Sequence, residues 1–222
     1  MRLIPAATVI VLREQNGVPE TLLLQRNQNL SVQGGTWVFP GGHIDPIDGS
    51  QDDSLDAARR CAVREAYEEA GLRLRAEDLV PASRWITPRA LPKRFDALFF
   101  IAAMSGGADV RIDGHEIVDH CWQSAQEAID AHNAGHKMLT PPGFVLLSQL
   151  AELGSLKSIL NAFYQAPPTQ YAPRLITLPD GACSVYQDDA AYNSGYLEMP
   201  GPRHRLWMRS SIWTYERGHA SM

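Results

Sequence analysis

The chain has 222 residues, enough for one large domain or a domain with an extension, and its 45% hydrophobic and 20% charged composition is that of an ordinary soluble globular protein. A net charge of −5 argues against nonspecific duplex binding, which needs surplus Lys and Arg to neutralise phosphates. Cys61, Cys121 and Cys183 are odd in number and far apart, so neither a disulfide framework nor a CxxC metal site is expected, and they read as reduced thiols of a cytoplasmic protein.

The apolar stretch in residues 1–14 has strand length, too short to span a bilayer and without the small-residue cleavage pattern of a secretory leader. Residues 6–12 are apolar and β-branched and predict a central strand. Asn16-Gly17 predicts a turn, with residues 21–25 as the hairpin partner. Residues 37–39 predict a short strand that stops at Pro40-Gly41-Gly42. From Ser54 to Ala70 the spacing is helical, and Leu55, Ala58, Ala62 and Ala66 form a small-residue face suited to packing on a sheet. Asp52, Asp53 and Ser54 are candidate caps, and Gly71 stands where a helix C-terminal glycine belongs.

Further strands are expected at residues 83–86, 95–103 and 117–123. Ser124 and Glu127 form a capping signature for a helix ending near Gly135, and Thr140-Pro141-Pro142 opens another over residues 143–153, followed by one more helical turn to Tyr164. Strands alternating irregularly with a few helices predict an α/β sandwich around a mixed sheet. From about Gln165 the chain becomes rich in Pro, Gly, Tyr and Asp and reads as a β-rich extension, because Trp207 and Trp213 are costly to leave in water. The expected division is a main domain over 1–152 and a packed extension over 153–222.

The string Arg64-Glu65-Ala66-Tyr67-Glu68-Glu69-Ala70-Gly71-Leu72 carries the chemistry. Glu65 and Glu69 stack at i,i+4 and Glu68 lies beside them, so three carboxylates crowd one side of the helix. Like charges at this spacing repel by a few tenths of a kcal/mol per pair. Arg64 relieves part of that cost, and a hard divalent ion relieves more; oxygen-only ligands suit Mg²⁺ or Mn²⁺. A solvated acidic helix face explains Glu68-Glu69 alone, but the five fixed positions of R-E-x-x-E-E-x-G arise by chance in only ~2 in 10,000 chains of this length.

The string resembles the core of the Nudix box, G-x5-E-x7-R-E-U-x-E-E-x-G-U with U apolar, and Phe39-Pro40-Gly41-Gly42 resembles the loop that opens it. Gly42 stands 22 positions before Arg64 (64 − 42), where the family pattern has 14, so about eight extra residues are expected within 47–53. Counting back from Arg64, the first acid of the box falls on Asp56. The resemblance implies a Nudix-type α-β-α sandwich and a Mg²⁺- or Mn²⁺-dependent diphosphate hydrolase. Glu65, Glu68 and Glu69 would hold metal with the Gly42 carbonyl, Arg64 would orient the acids, and Glu65 or Glu116 would take the proton from the attacking water.

Residues 85–88, 94–100, 116–122 and 139–142 resemble the Nudix branch that contains the mammalian peroxisomal coenzyme A diphosphatase, so coenzyme A or its acyl esters are the expected substrate class. Leu23, Arg26, Gly35 and Phe39-Pro40-Gly41-Gly42 keep the spacing of a coenzyme A hydrolase motif, while Ser31 stands in place of its second arginine. Arg26 reads as a diphosphate contact or a salt-bridged surface residue. Arg94 reads as a phosphate clamp or a partner of Asp96, and Phe39, with Trp37, as the border of a base pocket or as core. The rivals are a non-catalytic module binding an ADP-ribose-like nucleotide, and a hydrolase of ADP-ribose or nucleoside diphosphate sugars. An RNA-cap hydrolase is disfavoured by the lack of a basic stripe. The partner expected is therefore a small diphosphate, with no nucleic acid and no membrane, and a homodimer left open.

Overall fold

The computed structural model describes residues 3–49, 54–106, 109–210 and 212–219. β1 (Ile4–Gln15) and β2 (Val18–Arg26) form the expected hairpin, closed by Asn16 at φ 52 and Gly17 at φ 77, the left-handed pair that a tight two-residue turn requires. The two strands pair only beside that turn, from Leu12↔Thr21 to Gln15↔Val18. Farther along they part: β3 (Thr36–Val38) pairs with β2 and β4 (Gly41–His43) with β1, so Phe39-Pro40 crosses between them. This crossing sets the two glycines at the end of the sheet.

β5 (Val80–Ile86), β6 (Phe95–Ala103), β7 (Ile117–Ser124), β8 (Met138–Leu139) and β9 (Thr169–Tyr171) complete a sheet of order β8-β3-β2-β1-β6-β5-β9, with β4 also on β1 and β7 on β2. The β1–β6, β3–β8 and β5–β9 pairs are parallel and the rest antiparallel, which makes the sheet mixed. β5 begins before the expected residue 83, and a register shift between Pro81 and Ser83 accommodates the proline within the strand.

Period-two alternation divides the core. Ala7, Val9, Val11, Leu22, Leu24, Phe100 and Ala102 face one side, and Ile10, Leu12, Leu23, Phe99 and Ile101 the other. α1 (Ser54–Ala70) covers the first face through Ala58, Cys61, Ala62, Ala66 and Ala70, all fully buried, and their small side chains let the helix approach the sheet closely. Leu55, expected on that face, is instead exposed, and the candidate caps Asp52 and Asp53 lie outside the described residues. Gly71, at φ 68, ends the helix; its N–H and that of Leu72 return to the carbonyls of Tyr67 and Ala66.

α2 (Ala125–Asn133), α3 (Pro141–Leu153) and α4 (Leu156–Gln165) cover the second face. Ser124 and Glu127 form the predicted capping box, and the Thr140 hydroxyl accepts the Gly143 N–H. α4 is a full helix where a single turn was expected: Ser155 caps it, and Leu156, Ile159, Leu160 and Phe163 give it an apolar stripe. Among the described residues no single helix is long and apolar enough to cross a bilayer.

After β9 the chain forms a separate antiparallel sheet, β10 (Arg174–Leu178), β11 (Gly181–Val185), β12 (Pro202–Arg209) and β13 (Ile212–His219). Tyr186, Leu206, Met208, Trp213 and Tyr215 join the core shared with Trp85, Phe144 and Leu150. Trp85 stacks on Tyr171 at 4.0 Å, and Asn133 Oδ1 accepts the Trp213 N–H at 2.8 Å. The protein is thus an α/β sandwich on a mixed sheet, with a C-terminal antiparallel sheet packed against it.

Candidate active site

α1 runs beneath the glycine turn, and its last two turns bring the acids there. Gly41 N–H donates to Glu69 Oε2 at 2.9 Å, and a Cβ on Gly42 would overlap the Glu65 carboxyl group, so only glycine lets that acid reach the turn. The acids are not equivalent. Glu69 is 5% exposed and Glu65 half-buried, whereas the Glu68 side chain is 54% exposed, because Glu65 and Glu69 border the alanine face and Glu68 points away from it.

The charges are unbalanced. Burial pushes the Glu69 carboxyl up to about 8; Glu65 and Glu116 push it the same way, against the Gly41 N–H and Arg26. Burial also raises Glu65, opposed by the hydrogen bond and charge of Arg64 and reinforced by Glu68 and Glu116. Arg64 Nη1 bridges Glu65 at 2.8 Å and Glu68 at 2.9 Å. Among the described residues no three acidic, His or Cys side chains are arranged to hold a metal ion.

Arg64 is itself clamped from the other side. Its Nε and Nη2 donate to Asp48 Oδ1 at 3.0 Å and Oδ2 at 2.9 Å, and Nη2 also reaches the His43 carbonyl at 3.0 Å. Asp48 is 3% exposed and sits at the end of a 3-10 turn, Pro46–Asp48, where its Oδ2 accepts the Asp45 N–H at 2.9 Å. Burial alone would raise Asp48, but the Arg64 and Asp45 hydrogen bonds and the Arg64 charge outweigh it and hold the carboxyl below its usual value. The same Asp48 hydrogen bond raises Arg64.

This corrects the reading of the box. Asp56, placed there by counting back from Arg64, is a half-exposed side chain paired with Arg59 at 3.0 Å. Asp48 lies six positions after Gly42 (48 − 42), which is the spacing G-x5-E. The extra residues therefore fall between Asp48 and Arg64, a span that overlaps the expected stretch 47–53. Counting forward from the glycine would have found the residue.

Arg26, at the end of β2, reaches Glu116 Oε1 at 2.6 Å and stands 3.9 Å from Glu69 Oε1, so it joins the helix to the loop before β7. That loop is held by Asp113, whose carboxylate accepts the N–H groups of Glu116 and Ile117, and by Asn27, whose N–H donates to the Glu116 carbonyl at 2.8 Å. Arg26, Gly42, Arg64, Glu65, Glu68, Glu69 and Glu116 thus form one constellation. Phe39 stands apart from it, 4% exposed in the core with Trp37 and Leu139. Arg94 Nε donates to the Thr87 carbonyl at 3.1 Å, and Asp96 is taken by Arg84 at 2.7 and 2.5 Å, so an Arg94–Asp96 pair does not form. The three cysteines are free thiols; Cys61 lies under Arg64, and burial pushes it up to about 12.

A sheet that splays around a glycine turn, with an arginine-clamped acidic helix beneath it, defines a hydrolase of the Nudix type. The NUDIX domain profile matches residues 2–141, and the chain belongs to that family. The chain is similar to the acyl-coenzyme A diphosphatase NUDT19 of Homo sapiens, 25% identical over 80% of this chain and 74% of that protein. A nudix hydrolase relative from Caenorhabditis elegans is 24% identical over 60% of this chain, which spans only 56% of the relative's own length. Among solved structures, the NUDIX hydrolase from Alicyclobacillus acidocaldarius superposes with a TM-score of 0.66 at 22% identity, covering 75% of this chain and 99% of that one. The C. elegans Ap4A hydrolase binary complex superposes with a TM-score of 0.52 at 24% identity, covering 72% and 100%. These likenesses confirm the fold.

Nudix hydrolases generally use divalent metal ions, and the residues present fit one. The donors are oxygens, the acids carry more negative charge than Arg26 and Arg64 neutralise, and Gly42 leaves Glu65 against the backbone where a side chain would exclude it.

Proposed function

We propose that this hydrolase cleaves the phosphoanhydride of coenzyme A or an acyl-coenzyme A by attack of water at phosphorus. The observation that carries the reading is the surplus of carboxylate at the glycine turn, where burial and mutual repulsion raise Glu65 and Glu69 and leave them short of a cation. Glu65, Glu69 and the more exposed Glu68 would hold Mg²⁺ or Mn²⁺ together with the Gly42 carbonyl. The bound ion would neutralise the diphosphate and make its water more acidic. Arg64, locked by Asp48, keeps Glu65 and Glu68 in place. Glu116 is the acid outside the helix and free of Arg64, and its half-exposed carboxylate on Arg26 is suited to accept the proton of the attacking water. Arg26 then orients that base and lies within reach of a phosphate oxygen.

The coenzyme A assignment is supported by the human relative named as an acyl-coenzyme A diphosphatase and by the Arg26, Gly35 and Phe39–Gly42 spacing. A panel of diphosphates incubated with Mg²⁺ tests it. Coenzyme A should yield 3′,5′-ADP and a phosphopantetheine product. Cleavage of ADP-ribose with coenzyme A untouched would overturn the assignment.

A further inference from the structure

The loop between β5 and β6 lies at the same end of the sheet as the glycine turn. His43 on β4 is in register with Ala6 of β1, Ala6 with Ala97 of β6, and Ile4 N–H donates to the Arg94 carbonyl at 2.9 Å. β4 and β6 are therefore two strand spacings apart, roughly 10 Å. The rings of His43 and Phe95 meet with centroids 5.6 Å apart and planes tilted by 31°, and Lys93 Nζ lies 5.3 Å from the Phe95 centroid. His43 is exposed and Phe95 half-buried, so the pair forms an aromatic ledge one residue from Gly42. The carbonyl of His43 is tied to Arg64.

Arg89, Lys93 and Arg94 all lie within this loop, and among the described residues none forms an ion pair with a carboxylate. The chain's acids outnumber its Lys and Arg, 25 against 20, so three cations in one loop, none ion-paired with an acid among the described residues, are a local exception. Cations without an acidic partner suit an arriving anion, and a phosphate accepts several charge-assisted hydrogen bonds at once. An aromatic ledge beside them offers a nucleobase a face on which to stack.

We propose that this loop is a subsite for a second phosphate, one carried on the ribose of the nucleotide half of the substrate, with the base lying over the His43–Phe95 ledge. The proposal rests on the coenzyme A reading above and adds the group by which the site distinguishes such a nucleotide from one without the extra phosphate.

Titration calorimetry of the Mg²⁺-loaded protein with 3′,5′-ADP and with 5′-AMP tests this directly. The wild type should bind 3′,5′-ADP roughly tenfold more tightly or better, and an Arg89→Gln, Lys93→Met double variant should lose most of that preference. Arg75→Gln, on a remote exposed ion pair, should keep it. Lys93→Met alone serves if the double variant does not fold. Equal affinities in the wild type, or a preference that survives in the variants, would overturn the subsite. Failure of the coenzyme A reading would show separately, as absent hydrolysis of coenzyme A by a protein that still prefers 3′,5′-ADP.

Discussion

Two arginines in this protein each grip a buried aspartate through two nitrogens, and their surroundings give them opposite roles. In the C-terminal sheet, Arg205 meets Asp189 at 2.7 and 2.6 Å with both side chains almost fully buried. Asp189 also accepts the N–H groups of His204 and Ala191, and Arg205 Nη1 donates to the Leu197 carbonyl, so charge and hydrogen bonds close on themselves. In the Nudix domain Arg64 holds Asp48 at 3.0 and 2.9 Å, yet two more acids lean on the same guanidinium and a third, Glu69, lies buried beyond it. A closed pair is structural; a pair embedded in surplus charge has the chemistry proposed above for cation binding. The contrast separates chemistry from architecture better than burial does, since both aspartates are buried.

Glu69→Gln should break the comparison most visibly, with kcat falling roughly 10³-fold as several kcal/mol of transition-state stabilisation are lost. Stability should move the other way. Glu69 is raised to about 8 from an ordinary 4.5, so at pH 7 the metal-free fold keeps this carboxyl largely protonated at a cost in stability, whereas the unfolded chain ionises it freely; Gln, neutral in both states, should leave Tm in EDTA equal to or above that of the wild type. A large loss of Tm would mean that Glu69 is a structural acid. Asp189→Asn should do the reverse: it leaves Arg205 buried without its counter-charge, costing about 3–5 kcal/mol, or roughly 10 °C in Tm. Any activity lost should return when assays are run well below the new Tm.

His204, beside that closed pair, sharpens the point. Burial and then Arg217 push its pKa down from 6.5 to about 4, against Asp188 and Asp189, while Tyr215 OH contacts Nε2 at 2.9 Å. Its folded pKa is depressed, so the neutral ring's contribution is complete above pH 6.5 and is lost as pH falls toward 4, up to about 3 kcal/mol. Thermal unfolding between pH 7 and 4.5 should show this slope in the wild type and a flatter one in His204→Gln. Identical slopes would remove His204 as the cause.

The sequence exposed the region around Arg64 far better than the C-terminal sheet. Period-two runs marked β1, β2 and β6, and the alanine spacing marked α1, because one-sided burial imprints its period on the chain. Glu65, Glu68 and Glu69 were legible since repulsion between helix neighbours is visible without a structure. The Asp189–Arg205 pair was not: its members stand 16 positions apart, and the way the connection after β11 folds back on β12 decides their meeting. The Arg26–Glu116 contact was invisible for the same reason, although both residues stood out individually.

Asp48 was hidden by a different cause, and it offers the finest test of the comparison. An insertion shifts the frame between the glycine turn and the helix, so the acid paired with Arg64 depends on the end from which one counts. Geometry assigns Asp48, which restrains the arginine through both carboxylate oxygens. Asp48→Asn should keep the fold but let Arg64 swing, lowering kcat roughly 10–100-fold, as the loss of an outer-shell partner does. Asp56→Asn, on the exposed pair with Arg59, should change kcat less than twofold and stability by under about 0.5 kcal/mol. A positioning role requires more than lost rate: raised Mg²⁺ in the assay should recover part of the Asp48→Asn activity, because the acids are misplaced but still present. If Asp56→Asn proved the more damaging change, the frame read from the arginine would be the correct one, and the clamp at Asp48 would be architecture of the kind found around Arg205.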